Sequence, residues 1–340
     1  MAQQDMDSEM TVSHNDRSVA VGETYHPQFS ADGDVVLHSK DGVSFRVHRV
    51  VLTAASGWFR SLFTLPQPDS GTSQLPRSHE SLRVSEDATT LSILLQIICG
   101  LGFPDIPDVD TAENVLIAAD KYDMPGPVSL VRKLIMHPPL ITTSPLRVYS
   151  LACQWQWEEE TRIASTHTLT VDLCSDDCIN QLQHCGMSSR DLAKLMVLHR
   201  KRRDIIRERL NDSRLFGANA RPRCTQCHFE LTHTGWREFK NTVIADLEAN
   251  PFGESWSTND LWARPQIFAM LTDACTQCAK PMYSLEVTLK KLKEIIDELP
   301  QSASYPWSLI VVLTWRVRCT VVVMCLQQML FLMHCQLSSD

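Results

Sequence analysis

Two short stretches near residue 40 have the apolar pattern of strands, and the apolar spacing then becomes helical. The apolar run at the end of residues 34–37 and the alternation over residues 43–47 predict two strands, and the Lys-Asp-Gly turn between them predicts a hairpin that His48 closes. From Arg49 the apolar positions follow one helical stripe until Pro66 ends it. We therefore predict a strand pair that leads directly into a single helix.

The following stretch predicts one more strand and three helices. The strand covers residues 82–84, and the helices lie near residues 91–100, 111–122 and 128–136. Asp87 or Ser85 is placed to cap the first of these helices, whose apolar residues predict burial. Beyond residue 138 the pattern is helical only, and Ser188-x-x-Asp191 predicts the start of a long helix.

The two ends of the chain differ from its middle. Residues 1–29 are polar and show no period, which predicts a disordered tail. Near the other end, a stripe predicts an amphipathic helix over residues 284–300, formed by Leu285, Leu289, Leu292, Ile296 and Leu299. Residues 301–340 are apolar but contain Arg316 and Arg318, so we expect a buried helix or strand pair, with a membrane anchor and a terminus that packs badly as the alternatives.

Composition limits the class of protein. The chain has 340 residues, 44% of them hydrophobic and 21% charged, which fits about two folded domains. Its net charge of -8 argues against chain-wide binding to nucleic acid. No secretory signal is visible in the first residues, so we expect a cytoplasmic or nuclear protein whose 12 cysteines are thiols or metal ligands.

Three segments in the first half resemble the BTB/POZ domain, a protein-interaction domain. DVVLHSKDGVSFRVHRVVLTAASGWFRSLF is similar to the start of that family's domain, and NVLIAADKYDM is similar to its L-x-x-A-D-x-Y helix. LLQIICG lies where the family has an apolar helix, with Cys99 in place of the usual aromatic residue. The layout of the whole chain resembles fungal BTB proteins.

The resemblance implies an α+β fold, in which a helical cluster is flanked by a small sheet, and symmetric homodimers that form through the first helix and neighbouring strands. It places Asp34 and Arg49 in a charged pocket near that interface, with Trp58 and Phe59 on the helix that packs there. A simpler interpretation stays open, in which Asp34 caps a turn and Arg49 is solvated. We include His48 in the interface set but expect a buried histidine rather than a ligand or a base.

The resulting domain prediction has six parts. They are a disordered tail over 1–29, a BTB/POZ domain over 30–140, a helical extension over 141–215, a CxxC module over 216–283, the amphipathic helix over 284–300 and the apolar segment over 301–340.

Two identical Cys-Thr-Gln-Cys motifs predict a metal site. Cys224, Cys227, Cys275 and Cys278 supply four thiolates, which suit a structural Zn²⁺ with no open coordination position. His228 and His233 are alternative ligands. Two further interpretations stay open: buried thiols without a metal, and a redox pair. The segment between the motifs is expected to fold back as a hairpin or as helices around Trp236, Trp256 and Trp262.

A basic run, His199-Arg200-Lys201-Arg202-Arg203, is expected to be a solvated helix face with partners such as Asp204 and Glu208, rather than a nuclear address or a nucleic-acid contact.

No enzyme motif is found, and no catalytic residue is assigned. We expect a non-enzymatic scaffold that binds itself and other proteins. The alternatives are a substrate adaptor of a cullin ubiquitin ligase, a transcriptional regulator and, less favoured, a thiol-dependent enzyme with a low-pKa cysteine.

Overall fold

The structure is a computed structural model that describes residues 24–65, 80–256 and 264–303. The chain divides into two units between Leu151 and Ala152. Helices dominate both units, and the strands of the single sheet all lie in the first unit. The predicted α+β class is confirmed.

The sheet of the first unit has the order β1-β3-β2-β4. Its strands are β1 (Thr24–Tyr25), β2 (Val35–His38), β3 (Val43–Val47) and β4 (Glu80–Arg83). Strands β2 and β3 are antiparallel, with Val35 opposite Val47, which confirms the predicted hairpin. Strand β1 runs parallel to β3, and β4 runs parallel to β2.

The polar N-terminal stretch contributes to the fold earlier than its composition predicts. Thr24 and Tyr25 pair with β3, and Phe29 is 5% exposed and packs 5.7 Å from the ring of Phe45. A short polar segment can therefore be ordered by a few backbone hydrogen bonds and one buried ring. The rest of the predicted tail, residues 1–23, lies outside the described residues.

The single helix predicted after the hairpin is two helices, α1 (Arg49–Ala55) and α2 (Gly57–Thr64). Ser56 between them is extended, and its hydroxyl accepts a hydrogen bond of 3.0 Å from the backbone N–H of Phe59. The same hydroxyl donates to the carbonyl of Tyr122. Because this N-cap and its long-range contact outweigh one more helical turn, the helix breaks at Ser56.

Five further helices follow in the first unit, and the last of them continues into the second unit. They are α3 (Ala88–Ile98), α4 (Val109–Lys121), α5 (Pro125–Leu134), α6 (Leu140–Thr143) and α7 (Pro145–Gln154), whose last residues belong to the second unit. Asp87 caps α3 by accepting a hydrogen bond of 2.8 Å from the N–H of Thr90, as the sequence predicts. The expected burial of α3 is confirmed, since Leu94 and Leu95 are each 1% exposed.

The second unit is helical. Its helices are α8 (Glu158–His167), α9 (Asp176–His184), α10 (Ser189–Asn211), α11 (Thr234–Ala249), α12 (Pro265–Thr272) and α13 (Leu285–Asp297). The Ser188 hydroxyl accepts a hydrogen bond of 3.1 Å from the N–H of Asp191, which confirms the predicted start of α10. One buried cluster joins α10, α11, α12 and α13, and it includes Trp236, Phe239, Trp256 and Ile296.

The predicted amphipathic helix forms α13, where Leu285, Leu292 and Ile296 are buried in this cluster. The segment between the cysteine motifs contains α11 and α12, so the helical alternative is the one observed. Trp262 and most of the apolar C-terminal segment, residues 304–340, lie outside the described residues. Within the described part of the chain, no helix combines the length and the hydropathy that a membrane span requires.

The basic run on α10 does not form one solvated face. Arg200 makes the expected i,i+4 ion pair with Asp204 at 3.6 Å. Arg202, in contrast, is only 1% exposed and donates hydrogen bonds to the carbonyls of Pro251 at 2.9 Å and Pro300 at 2.6 Å. Its position on the inner side of α10 turns Arg202 away from solvent.

Candidate interaction surface and metal centre

Helices α1 and α2 present apolar side chains to solvent. Val50 on α1 is 72% exposed, and Trp58 on α2 is 41% exposed. The Trp58 ring is held edge-on by Phe59 at 4.8 Å and by Tyr122 at 5.3 Å between ring centroids. Large apolar side chains at fixed positions on a surface are typical of protein-binding sites.

Phe59, predicted beside Trp58, is 1% exposed and stacks on Tyr122 at 5.4 Å. Its ring is buried in the interior of the first unit, where it packs against the ring of Trp58. The exposed members of the candidate surface on α1 and α2 are therefore Val50 and Trp58, with the buried Phe59 against Trp58. Val50 was missed in the sequence because the prediction considered only the apolar helical stripe that follows Arg49, to which Val50 does not belong.

Asp34 and Arg49 are in contact, though through the backbone of Arg49. The Asp34 carboxylate accepts a hydrogen bond of 2.6 Å from the N–H of Arg49, the first residue of α1. A carboxylate at this position satisfies a free N–H at the start of a helix. The Arg49 guanidinium lies over the Phe63 ring, 4.4 Å from its centroid. Asp34 thus has the capping contact of the simpler interpretation.

His48 is not a buried histidine. Its side chain is 51% exposed, and Nε2 lies 3.6 Å from a carboxylate oxygen of Asp32. The residue follows strand β3 and directly precedes α1, a position where the side chain points away from the core. The expectation of a core histidine is therefore wrong, and His48 is available at the surface.

A second exposed apolar site lies after α3 and was missed in the sequence. Phe103 is 81% exposed and Leu101 is 55% exposed, on a turn that contains Gly100 and Gly102 with positive φ. The sequence does contain a signal for the exposure of these two residues, because apolar residues in a Gly- and Pro-rich turn cannot join a helical or strand core.

The two cysteine motifs of the second unit meet at one point. The sulfur atoms of Cys224, Cys227, Cys275 and Cys278 lie within 4.8 Å of one another. Each sulfur of one motif lies beside a sulfur of the other motif: Cys224 Sγ is 3.6 Å from Cys278 Sγ, and Cys227 Sγ is 3.4 Å from Cys275 Sγ. Four thiolates at this separation could hold a tetrahedral metal ion.

Both motifs fold in the same way. In the first, the N–H of Cys224 donates to the carbonyl of Phe229 at 2.8 Å, and His228 turns the chain with φ of 58°. In the second, the N–H of Cys275 donates to the carbonyl of Lys280 at 2.9 Å, and Ala279 turns the chain with φ of 55°. We call these two turns, residues 223–230 and 274–281, the first and second knuckles.

The knuckles are two copies of one unit at a constant offset. Cys275 lies 51 residues after Cys224, and the same offset relates the bridges that close the knuckles, Arg223 to Glu230 and Ala274 to Pro281. It also relates the first residues of α11 and α13, Thr234 and Leu285. Each knuckle therefore leads into a helix of the buried cluster, and a metal between the knuckles would join both helices.

The backbone favours thiolates in this cluster. The N–H groups of Cys227 and Gln226 point at the sulfur of Cys224 and lower its pKa to about 6. The N–H of Cys278 likewise lowers the pKa of Cys275, against a smaller effect of burial. The backbone also acts to lower the pKa of Cys227 and Cys278, but burial and the neighbouring sulfurs together raise it. Because a metal binds the thiolate and not the thiol, one cysteine of each knuckle is prepared for a cation.

Neither His233 nor His228, the two alternative ligands, takes part in this cluster. Nδ1 of His233 is bonded to the Tyr283 hydroxyl at 2.5 Å, and Nε2 is bonded to the Arg221 carbonyl at 2.5 Å. Both ring nitrogens are thus occupied. His228, the other alternative ligand, is also outside the group of ligand atoms that the described residues bring together.

Comparison with known proteins concerns the first unit. Residues 26–137 match the BTB/POZ domain family. The sequence matches none of the curated proteins with which it was compared. The matched stretch contains the sheet strands β2 and β3 and the helices α1 to α5, and it indicates no enzyme family. Residues 26–137 therefore form a BTB/POZ domain, a protein–protein interaction module.

Proposed function

We propose that this protein is a non-enzymatic scaffold that forms a homodimer through α1, α2 and the neighbouring strands. The observation that carries the proposal is the pair of exposed apolar side chains on consecutive helices of the BTB/POZ domain, Val50 and Trp58. Asp34, His48 and Arg49 lie at the start of α1 and form the polar border of this surface. A hydrophobic centre with a polar rim is the usual composition of an interface.

The dimer is tested by sedimentation of the full chain at micromolar concentration. We expect the unmodified chain to sediment as a dimer, and Val50→Glu to shift it to the monomer because a charge would be buried at the contact. Ile117→Glu is the matched control, since Ile117 is 56% exposed on α4 of the same unit. A monomeric unmodified chain, or equal effects of the two variants, would contradict the proposal.

The same module supports a second candidate, a substrate adaptor of a cullin ubiquitin ligase or a transcriptional regulator in the cytoplasm or nucleus. Exposed Phe103 and Leu101 favour a further protein partner, because they lie on a turn apart from α1 and α2. The layout of a BTB/POZ domain followed by helices is the one we expect for fungal members. Affinity purification with Phe103→Ser as the control variant tests the adaptor role: a cullin lost with that variant supports it, and a chromatin protein in its place supports regulation.

We infer that the four cysteines hold one structural Zn²⁺. The position of the four sulfurs within 4.8 Å of one another supports this choice, since Zn²⁺ prefers four thiolates in a tetrahedron. Such a centre leaves no position for a reacting water and serves to join α11 to α13.

Elemental analysis of the purified chain tests the zinc site. We expect about one zinc per chain, lost in the double variant Cys224→Ser with Cys227→Ser. Cys99→Ser with Cys174→Ser is the control, because these cysteines lie outside the cluster. Folded protein without metal, or normal zinc in the first variant, would refute the assignment.

A further inference from the structure

A small cavity lies across the two knuckles. Its volume is about 210 Å³, and its walls include Arg221, Arg223 and Thr225 from the first knuckle and its approach, and Lys280 from the second. His233 lies at its edge. The cavity exists only while the knuckles are held together, so a ligand there would contact both.

Three cations face this cavity without a carboxylate partner in the part of the chain that the structure describes. Among those residues, Arg221, Arg223 and Lys280 make no ion pair, and no Asp or Glu lines the walls. Cys224 also lines the cavity and is the group there that can carry a negative charge. Several other arginines of the second unit are paired with carboxylates, for example Arg207 with Glu248 at 2.6 Å and Arg264 with Asp246 at 2.8 Å. Unpaired cations that converge on one cavity raise the local affinity for anions.

Hydrogen bonds also fix several of the residues that line the cavity. Lys280 Nζ donates to the Thr225 hydroxyl at 3.1 Å, which fixes a cation of the second knuckle against the first. The His233 ring is bonded at both nitrogens, to Tyr283 and to the Arg221 carbonyl, and so fixes the backbone that carries Arg221. A ligand would therefore meet an arranged set of donors.

We propose that this cavity binds a phosphate monoester group. Arginine donors match the oxygens of phosphate bidentately, and Lys280 adds a point charge. The volume is below the range of about 300 to 1,000 Å³ that is usual for drug-sized ligands, which favours one compact, doubly charged group. The inference rests on the proposed metal site only in that the knuckles must be joined.

Two alternative roles for these cations can be separated from phosphate binding. In the first alternative, the cations serve only as counter-charges to a doubly negative zinc–thiolate centre. Substitution of these cations would then change the zinc content of the chain, and any binding of phosphate would be the same as in the unmodified chain. A single-stranded nucleic acid would need an extended basic groove with aromatic platforms, whereas the cations here converge on one small cavity.

Titration calorimetry of the full, metal-analysed chain tests the proposal, with inorganic phosphate and O-phosphoserine as separate probes. We expect both probes to bind, and Arg223→Gln with Lys280→Gln to weaken binding about tenfold or more through loss of charge-assisted hydrogen bonds. Lys290→Gln with Lys293→Gln removes the same charge from exposed positions of α13 and should leave binding unchanged. The tighter probe identifies the source of the group, free phosphate or a phosphorylated side chain.

Absence of binding to either probe, equal weakening in both double variants, or tighter binding of an oligothymidylate than of O-phosphoserine would each overturn the proposal. Loss of zinc in the Arg223 and Lys280 variant with phosphate binding intact would overturn it in favour of the counter-charge role. The metal assay on the same sample separates this result from a failure of the zinc assignment, because phosphate binding by a zinc-free chain would show that the knuckles are joined without the metal and would leave the cavity assignment standing.

Discussion

At the scale of single residues, the contact between Gly57 and Asp123 shows how closely the first helices pack on the end of α4. A methyl group on Gly57 would lie 1.8 Å from Oδ2 of Asp123. We expect Gly57→Ala to lower the free energy of unfolding by about 1 to 3 kcal/mol, the usual cost of overpacking. Chemical denaturation of the full chain measures this change.

A double-variant cycle checks the cause. Asp123 has φ of 51°, which glycine adopts without strain, so Asp123→Gly should restore part of the stability lost in Gly57→Ala. Gly126→Ala, where no atom lies within 4 Å of the added methyl group, should not destabilise the chain. Additive effects of Gly57→Ala and Asp123→Gly would show that the clash is not the reason.

His199 on α10 makes stability dependent on pH. Burial, and then the nearby Arg202, lower its pKa from 6.5 to about 4, while Asp172 acts weakly in the opposite direction. Because His199 binds its proton more tightly in the unfolded chain, its contribution to the free energy of unfolding is complete above pH 6.5 and is lost as the pH falls toward 4. We expect His199 alone to lower the free energy of unfolding by about 2 kcal/mol between pH 7 and pH 5.

Denaturation of His199→Gln at the two pH values measures that contribution. The variant should lose about 2 kcal/mol less than the unmodified chain between pH 7 and pH 5. His184→Gln, at an exposed position on α9, is the control and should keep the full dependence. An unchanged dependence in His199→Gln would exclude the histidine as its source.

Local signals predicted several of these residues and long-range contacts decided the others. Asp87 and Ser188 cap helices as the sequence indicates, because an N-cap needs only the three residues that follow it. Ser56 breaks a helix partly through its bond to Tyr122, 66 residues away, which no local pattern contains. The four clustered cysteines were predictable because the spacing of the two motifs alone identifies a candidate metal site.

At the scale of elements, α10 combines buried and exposed arginines within one turn. Arg202→Ala would leave the carbonyls of Pro251 and Pro300 without a donor, and we expect it to cost about 3 kcal/mol. Arg200→Ala removes an ion pair whose arginine side chain is 75% exposed, and it should cost less than about 0.5 kcal/mol. Urea denaturation of both variants compares them, and equal costs would contradict the burial of Arg202.

The sequence contains the helical pattern of α11 but lacks the usual signal for the start of that helix. Trp236, Phe239, Val243 and Leu247 repeat at helical spacing and are all buried. The helix starts after His233 in a left-handed conformation, with no side-chain cap, so the usual start signal is missing. The break between α1 and α2, in contrast, could not be found from periodicity, because the apolar stripe continues through it.

At the scale of the whole molecule, the candidate metal site and the BTB/POZ domain belong to different units. We expect a chelator to expose the backbone amides of α11 and α13 in hydrogen exchange, with protection that falls about tenfold or more. Amides of β2, β3 and α4 should keep their protection, since the first unit has its own core. Full protection in α11 and α13 after metal removal would contradict a structural role for the metal.

The constant offset between the knuckles also has a consequence for how the second unit stays folded. A metal held by both motifs is a cross-link that closes a loop of about 50 residues, and on the chain-entropy account such a closure restricts the unfolded state by about 4 kcal/mol. That amount is comparable with the net stability of many domains. The free concentration of the ion, which sets how often the loop is closed, thereby becomes a determinant of the lifetime of this half of the chain.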